Sequence, residues 1–182
     1  MRDAQRGVLL IGLPGTGKST IGRQVARRLG RGFLDSDVVI EQRLGESIRE
    51  FFEREGEPAF RDIESSVLEE LTQPGSAPMV VATGGGIVLR ERNRERLRTC
   101  GERVIYLRSS PQDLHRRLRH DTTRPLLQVA DPLARLRELY EVRDPLYREV
   151  AHFVIDTGRP SVAALVNMIA MQLELGAAPP PA

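Results

Sequence analysis

Gly12-Leu13-Pro14-Gly15-Thr16-Gly17-Lys18-Ser19 has the spacing G-x-x-x-x-G-K-[ST], between the apolar run Val8 to Ile11 and the amphipathic stretch Ile21 to Leu29. A strand before and a helix after are the context in which this spacing holds phosphate. The glycines let the loop turn tightly and bring backbone N–H groups to phosphate oxygens, where a Cβ would block the approach. A helix N-terminus adds partial positive charge at the same place. Lys18 can bridge β- and γ-phosphates as a compact cation, and the Ser19 hydroxyl can ligate Mg²⁺. Lys18 is the single lysine among 27 basic residues. In a chain that otherwise uses arginine, that choice points to chemistry, because a planar guanidinium is too large for a loop wrapped about one phosphate.

Other residues could complete such a site. Asp35-Ser36-Asp37 follows the second short apolar run, Phe33-Leu34, and open α/β sheets bind ligands at the carboxyl ends of their strands. One of the two carboxylates can hold Mg²⁺ through water, and the other can accept a hydrogen bond from a substrate hydroxyl and draw its proton. The plain reading of either aspartate is a helix N-cap or a solvated turn. Thr83-Gly84-Gly85-Gly86 ends the third run, and three glycines leave bare backbone for a ligand to approach. Arg61 lies in Phe60-Arg61-Asp62-Ile63-Glu64, where Glu64 is one turn on and can orient the guanidinium. Arg143 continues the apolar stripe Leu133, Leu136, Tyr140, which aims a permanent cation inward toward an anionic partner. That partner is a ligand carboxylate or a structural ion pair. Arg124, in Arg124-Pro125-Leu126-Leu127, is either a solvated loop charge or a cation that swings over a transferring phosphoryl group.

Such residues need a scaffold, and the chain supplies a β/α alternation. Apolar runs at Val8 to Ile11, Phe33-Leu34, Met79 to Ala82, Val104 to Leu107 and Phe153 to Ile155 are each followed by helical periodicity. Strands buried on both faces by crossover helices read as continuous apolar runs, so the pattern predicts a parallel sheet of about five strands. Between the second and third strands, Ser47-Ile48-Arg49-Glu50 reads as a capping box for a helix through Phe51 and Phe52. Gly56-Glu57-Pro58 ends it, and Phe60, Ile63, Val67, Leu68 and Leu71 mark a second helix, giving a two-helix insertion. Arg119 to Pro125 reads as a mobile loop and the Ala/Pro-rich tail from Gly176 as frayed. The alternating charges of Arg90 to Arg98 predict a solvated helix. His115, His120 and His152 lack ligand spacing, and Cys100 reads as inert.

Composition excludes several classes. Of the 182 residues 40% are hydrophobic and 29% charged, which is far from a disordered profile. No apolar run approaches the roughly 20 residues that span a bilayer, and no secretory leader precedes the first strand. One cysteine forbids an internal disulfide framework, so a reducing cytoplasm fits. Net charge is +2 although the isoelectric point is about 9.1. Arginine does not titrate below about pH 12, so the high value reflects a flat titration curve and not a nucleic-acid-binding stripe. Interspersed Arg and Glu argue against a nucleic-acid-stimulated ATPase. A nucleotide-binding regulator without an acceptor would have no use for Asp37, Arg61 and Arg143.

In order along the chain, Gly12 to Thr20, Asp35-Ser36-Asp37, Phe60 to Glu64, Thr83 to Gly86, Arg124 to Leu127 and Arg143-Asp144-Pro145-Leu146-Tyr147 resemble the shikimate kinases. These are small P-loop kinases of aromatic amino-acid biosynthesis in the adenylate-kinase-like group, and the likeness spans nearly the whole chain. The resemblance implies one α/β domain over residues 1–175: a five-stranded parallel sheet of order 2-3-1-4-5, a substrate-binding insert over about 36–64 and a lid over about 116–128. A disordered tail, 176–182, would follow. It implies ATP-dependent transfer of the γ-phosphoryl group to the 3-hydroxyl of shikimate, by a cytoplasmic monomer that uses Mg²⁺ and binds neither nucleic acid nor membrane. Gly15, Thr16, Gly17, Lys18, Ser19 and Thr20 would hold ATP, with Arg117, Arg124 and Arg159. Ser19 would ligate Mg²⁺ directly and Asp35 through water. Asp37, Arg61, Gly85 and Arg143 would bind shikimate, the two arginines on its carboxylate, and Ile48, Phe52 and Phe60 would wall its ring. Lys18, Asp37 and Arg124 would be catalytic, Asp37 as base. Arg117 or Arg119 would stack on adenine, beside a loop at Asp156 to Pro160 shorter than the family's usual form. Another small anionic-metabolite kinase, for gluconate or a nucleotide, is the nearest alternative.

Overall fold

The computed structural model describes residues 6–121 and 128–176. Arg124 with the rest of 122–127 in the expected lid, and the tail beyond residue 176, lie outside the described residues. Strand β1 (Val8–Ile11) is central, and its four side chains are at most 2% exposed. They alternate between two cores, as a period of two requires. Leu9 and Ile11 pack with Val81, Tyr106, Leu136 and Tyr147 on one face, whereas Val8 and Leu10 pack with Ile21, Ile105, Leu165 and Ile169 on the other. With β2 (Gly32–Asp35), β3 (Met79–Ala82), β4 (Arg103–Arg108) and β5 (Phe153–Asp156) it forms a parallel sheet of order β2-β3-β1-β4-β5. All five expected strands are present, each within two residues of the expected bounds.

Helix α1 (Lys18–Leu29) follows β1 and packs on the second core face beside α8 (Val162–Gly176). The first face is covered by α4 (Glu57–Leu71), α5 (Glu91–Thr99), α6 (Pro111–Leu118) and α7 (Pro132–Val150). The insertion between β2 and β3 holds three helices and not two. Helix α2 (Ser36–Leu44) begins immediately after Asp35, and α3 (Ile48–Glu55) precedes α4. The first was missed because its apolar residues, Val38, Val39 and Ile40, are contiguous and carry almost no helical periodicity. The Ser47–Glu50 capping box at the start of α3 is present in both directions. Ile40, Phe51, Phe60 and Val67 give the insertion a small core of its own.

Helix α5 also corrects an expectation, since it is not solvated all round. Leu97 is fully buried and Asn93 nearly so. Arg94 folds inward to donate to the carbonyls of Val88 and Leu89, and Arg96 donates to Thr72 Oγ1 and Thr72 O. Arginine stems cover apolar surface while their heads find acceptors, so a charge-rich sequence concealed a packed face. Among the described residues, no helix is long and apolar enough to cross a membrane.

Candidate active site

The turn after β1 places three glycines at positive φ: Gly12, Gly15 and Gly17. Gly17 caps α1 in the left-handed region (φ 89°), and the helix carries no side-chain cap and no acidic residue in its first turn. Its first N–H groups therefore remain available to an external acceptor, at the positive end of the helix dipole. Thr16 lies in the same turn with its Oγ1 buried and without a partner among the described residues, and a hydroxyl placed there can donate to a phosphate oxygen. Lys18 is 9% exposed and its Nζ donates to Gly12 O (2.8 Å) and Leu13 O (2.9 Å), folding the only lysine of the chain back over the loop. Gly15 is half-buried against Leu118 at the end of α6, and Thr20 is exposed one residue past Ser19.

Asp35 turns out to be both an N-cap and a neighbour of Ser19. Its Oδ1 accepts from the N–H groups of Asp37 (2.9 Å) and Val38 (3.4 Å), which starts α2. Its Oδ2 accepts from Ser19 Oγ at 2.5 Å. A hydroxyl and a carboxylate side by side are hard oxygen donors suited to Mg²⁺, which keeps most of its shell for water and phosphate. No cluster of three His, Cys, Asp or Glu that could hold a metal exists among the described residues. The donor set fits an ion shared with a bound phosphate.

Opposite this loop, four elements meet on the glycine turn after β3. Gly84, Gly85 and Gly86 do not sit at positive φ, so they are glycines for space and not for conformation. A Cβ on Gly84 would stand 2.8 Å from Asp37 Oδ1 and 3.1 Å from Glu64 Oε2. On Gly85 it would strike the Pro14 ring at 2.7 Å and approach Arg143 Nη1 at 3.3 Å. On Gly86 it would fall 2.5 Å from Arg61 Cζ. The expected acceptor residues Asp37, Arg61, Gly85 and Arg143 are thus brought together, and Pro14 of the phosphate loop touches the same turn. Ser36, 4% exposed, holds this turn by accepting from Gly84 N–H.

Electrostatics in this cluster are strongly coupled. Arg61 Nη1 donates to Glu64 Oε1 (2.7 Å), and Glu64 is 2% exposed. Burial pushes the Glu64 carboxyl up, against the pull of Arg61, Arg143 and Arg90. Asp37 is pushed up to about 6, first by burial and then by the charges of Asp35 and Glu64, with Lys18 opposing. A carboxylate that titrates there is suited to take a proton near neutral pH. The wall beside it is aromatic: Phe52 and Phe60 lie 5.3 Å apart, and the Arg61 guanidinium sits over Phe60 at 5.1 Å.

Arg143 is buried in α7, one turn before fully buried Tyr147. The Tyr147 hydroxyl donates to Gly85 O at 2.5 Å. In the sequence Tyr147 stands only as the last residue of the Arg143–Tyr147 motif; its signal is its place at i+4 from an inward-facing arginine. Arg117 on α6 donates to Thr157 O (2.6 Å) and so ties α6 to the loop after β5, whereas Arg159 is exposed on that loop. Burial pushes the Cys100 thiol up, in keeping with an inert residue.

Known proteins resemble this chain in sequence and in fold. The shikimate kinase family profile matches residues 14–174. A shikimate kinase of Paracidovorax citrulli is 62% identical over 182 residues, 100% of this chain and 99% of that protein. The solved shikimate kinase of Acinetobacter baumannii, in complex with shikimate, superposes with a TM-score of 0.89 at 41% identity over 97% of each chain. A gluconokinase of Sinorhizobium meliloti covers 96% of this chain and 98% of its own, but at TM-score 0.57 and 18% identity it shares the fold alone. The chain belongs to the shikimate kinase family, ATP-dependent phosphotransferases that phosphorylate shikimate.

Proposed function

We propose that the two sides of this cleft divide the family's reaction between them. The phosphate loop and the start of α1 hold ATP through residues Gly15 to Thr20, and the cluster on the Gly84–Gly86 turn holds shikimate. Arg61 and Arg143 grip the shikimate carboxylate with bidentate geometry. Asp37 hydrogen-bonds the 3-hydroxyl, and Gly85 contributes backbone to the ring. The bond that forms joins the shikimate O3 to the γ-phosphorus; the bond that breaks joins that phosphorus to the β–γ bridging oxygen; the O3 proton passes to Asp37 Oδ. Lys18 and Arg124 stabilise the charge on the transferring group. Ser19 directly, and Asp35 through water, would hold Mg²⁺, which when bound neutralises phosphate charge. Closure of the segment around residues 116–128 excludes water, so that hydrolysis does not compete. Arg117 and Arg159 border the adenine. The enzyme acts as a monomer in the cytoplasm.

The observation that carries this reading is the shared turn. Pro14 of the phosphate loop and Arg143 of the acceptor cluster both flank Gly85, so a γ-phosphate and a clamped acid would lie side by side. A coupled assay of ADP release tests it. Shikimate should stimulate release strongly, whereas gluconate and nucleoside monophosphates should leave it at the background rate; equal stimulation by gluconate would reject the acceptor assignment.

A further inference from the structure

The Arg143-Asp144-Pro145-Leu146-Tyr147 segment contains one group that the reaction does not use. Tyr147 is fully buried, yet its hydroxyl reaches out of the core to the Gly85 carbonyl at 2.5 Å. A tyrosine has one O–H to donate and lone pairs to accept with. The donor goes to Gly85, and that same glycine abuts the Arg143 guanidinium, whose Nη1 lies 3.3 Å from where a Cβ on Gly85 would stand. The ring itself is held against Tyr106, with centroids 4.8 Å apart and the planes tilted by 32°. Tyr106 in turn donates to Asp144 Oδ1 at 2.7 Å, and Asp144 pairs with Arg148. Both tyrosine rings are therefore immobilised on α7 and β4, and only one of the two hydroxyls points at the acceptor side of the cleft.

We propose that Tyr147 is a positioning residue for the acceptor: its hydroxyl locks the Gly85 carbonyl and the Arg143 guanidinium in one mutual arrangement, and so sets affinity for the acceptor's carboxylate without touching it. The physical need is plain. Arg143 is a long side chain in a buried place, with several rotamers to lose on binding an anion. A glycine backbone fixed beside it by Tyr147 limits that freedom beforehand, which is how preorganisation raises affinity. Ser36 holds the other end of the same turn at Gly84 N–H, so the glycine backbone is pinned from both sides.

The proposal rests on Arg143 contacting shikimate, and the test separates the two. Tyr147→Phe keeps the ring and its packing while removing the hydroxyl. The KM for shikimate should rise about 3- to 10-fold, the range of one lost hydrogen bond, with little change in the KM for ATP and a smaller change in kcat. Tyr106→Phe is the matched control. It also removes one buried tyrosine hydroxyl, but one bonded to Asp144, and the KM for shikimate should stay within about twofold. A second readout uses methyl shikimate, which has no carboxylate charge. The loss of affinity caused by the ester should be at least about threefold smaller in Tyr147→Phe than in the wild type, because a displaced Arg143 has less to lose.

If Tyr147→Phe and Tyr106→Phe shift the shikimate KM alike, or the ester penalty is the same in wild type and Tyr147→Phe, the positioning role is overturned. If Arg143→Ala itself leaves the shikimate KM unchanged, the acceptor assignment fails first. Should Tyr147→Phe not fold, the wild-type enzyme labelled with ¹³C-tyrosine carries the test. The Tyr147 Cζ resonance should move on saturation with shikimate and stay in place with ADP; a resonance indifferent to shikimate would count against the proposal.

Discussion

The two halves of the cleft are built in opposite ways. The phosphate half is one stretch of chain, Gly12 to Thr20, and its means are backbone: glycines at positive φ, an uncapped helix start and one lysine held by two carbonyls. The acceptor half draws on Asp37, the Arg61–Glu64 pair, the Gly84–Gly86 turn and Arg143 with Tyr147, from four separate elements. Its means are buried charges. Backbone donors in a preformed loop need little reorganisation when a phosphate arrives. Buried carboxylates and guanidinium groups instead cost stability in the folded protein, and each depends on its partners. The phosphate half should therefore lose catalysis when altered and keep its fold, whereas the acceptor half should exchange stability against function.

Lys18→Ala is the most severe test of the first half. Removing a preorganised charge from the transferring group should lower kcat by about 10³-fold or more, with the midpoint of thermal unfolding little changed. A kcat near wild type would deny Lys18 its role. Asp37→Asn should lower kcat by about 10²- to 10³-fold and, unlike Lys18→Ala, stabilise the protein. The sign follows from the carboxyl, which titrates near 6 in the folded state against 3.8 ordinarily. The folded protein then holds that proton more tightly than the unfolded chain, so the favourable contribution is complete below pH 3.8 and lost as pH rises through about 6. At pH 7.5 the asparagine variant should melt about 2 °C or more above wild type, and the two curves should converge below about pH 4. Wild-type kcat should fall about tenfold per pH unit below 6, as the base is protonated.

Arg143→Ala should raise the KM for shikimate about 10- to 100-fold, since a hydrogen bond to a charged group contributes about 1.5–3 kcal/mol. The KM for ATP should hardly move, and an equal rise for both substrates would erase the distinction between the halves. Gly86→Ala sharpens it further. The three nearest atoms the added methyl meets are all at the far end of the Arg61 side chain, so that guanidinium should be displaced from Glu64, whose buried carboxylate then loses its partner. A shikimate KM about 5- to 10-fold higher together with a lowered melting temperature is the expected result. Gly85→Ala differs in kind, because Pro14 stands in the way, and it should disturb the KM for both substrates. Ser47→Ala, outside the cleft, removes the capping box of α3 and should cost about 1 kcal/mol by chemical denaturation, with kinetic constants close to wild type.

The loop of the phosphate half was legible in the sequence because its glycines, Lys18 and the start of α1 follow one another in the chain, whereas its contacts with Asp35 and Leu118 join it to distant elements. Five strands were legible for a related reason: two-sided burial demands contiguous apolar residues, as in Val8 to Ile11. Arg143 was found through its place on an apolar stripe, although the buried face runs through Leu136, Leu139, Arg143, Tyr147 and Val150 and not through Leu133. Helix α2 and the packed face of α5 were not legible, since neither follows a clean apolar period. The role of Tyr147 was hidden too, because its partner Gly85 lies 62 residues away in the chain.

Residue types and local spacing alone thus determine the triphosphate cradle, the sheet and the presence of charged groups able to clamp an acid. Which charges share one cavity, how far their neighbours shift Asp37 toward neutrality, and why three successive glycines must lack a Cβ are matters of packing between distant segments. Those properties depend on distances of 2.5 to 3.5 Å between elements brought together by the β2-β3-β1 crossovers, and no window of contiguous sequence encodes such a distance.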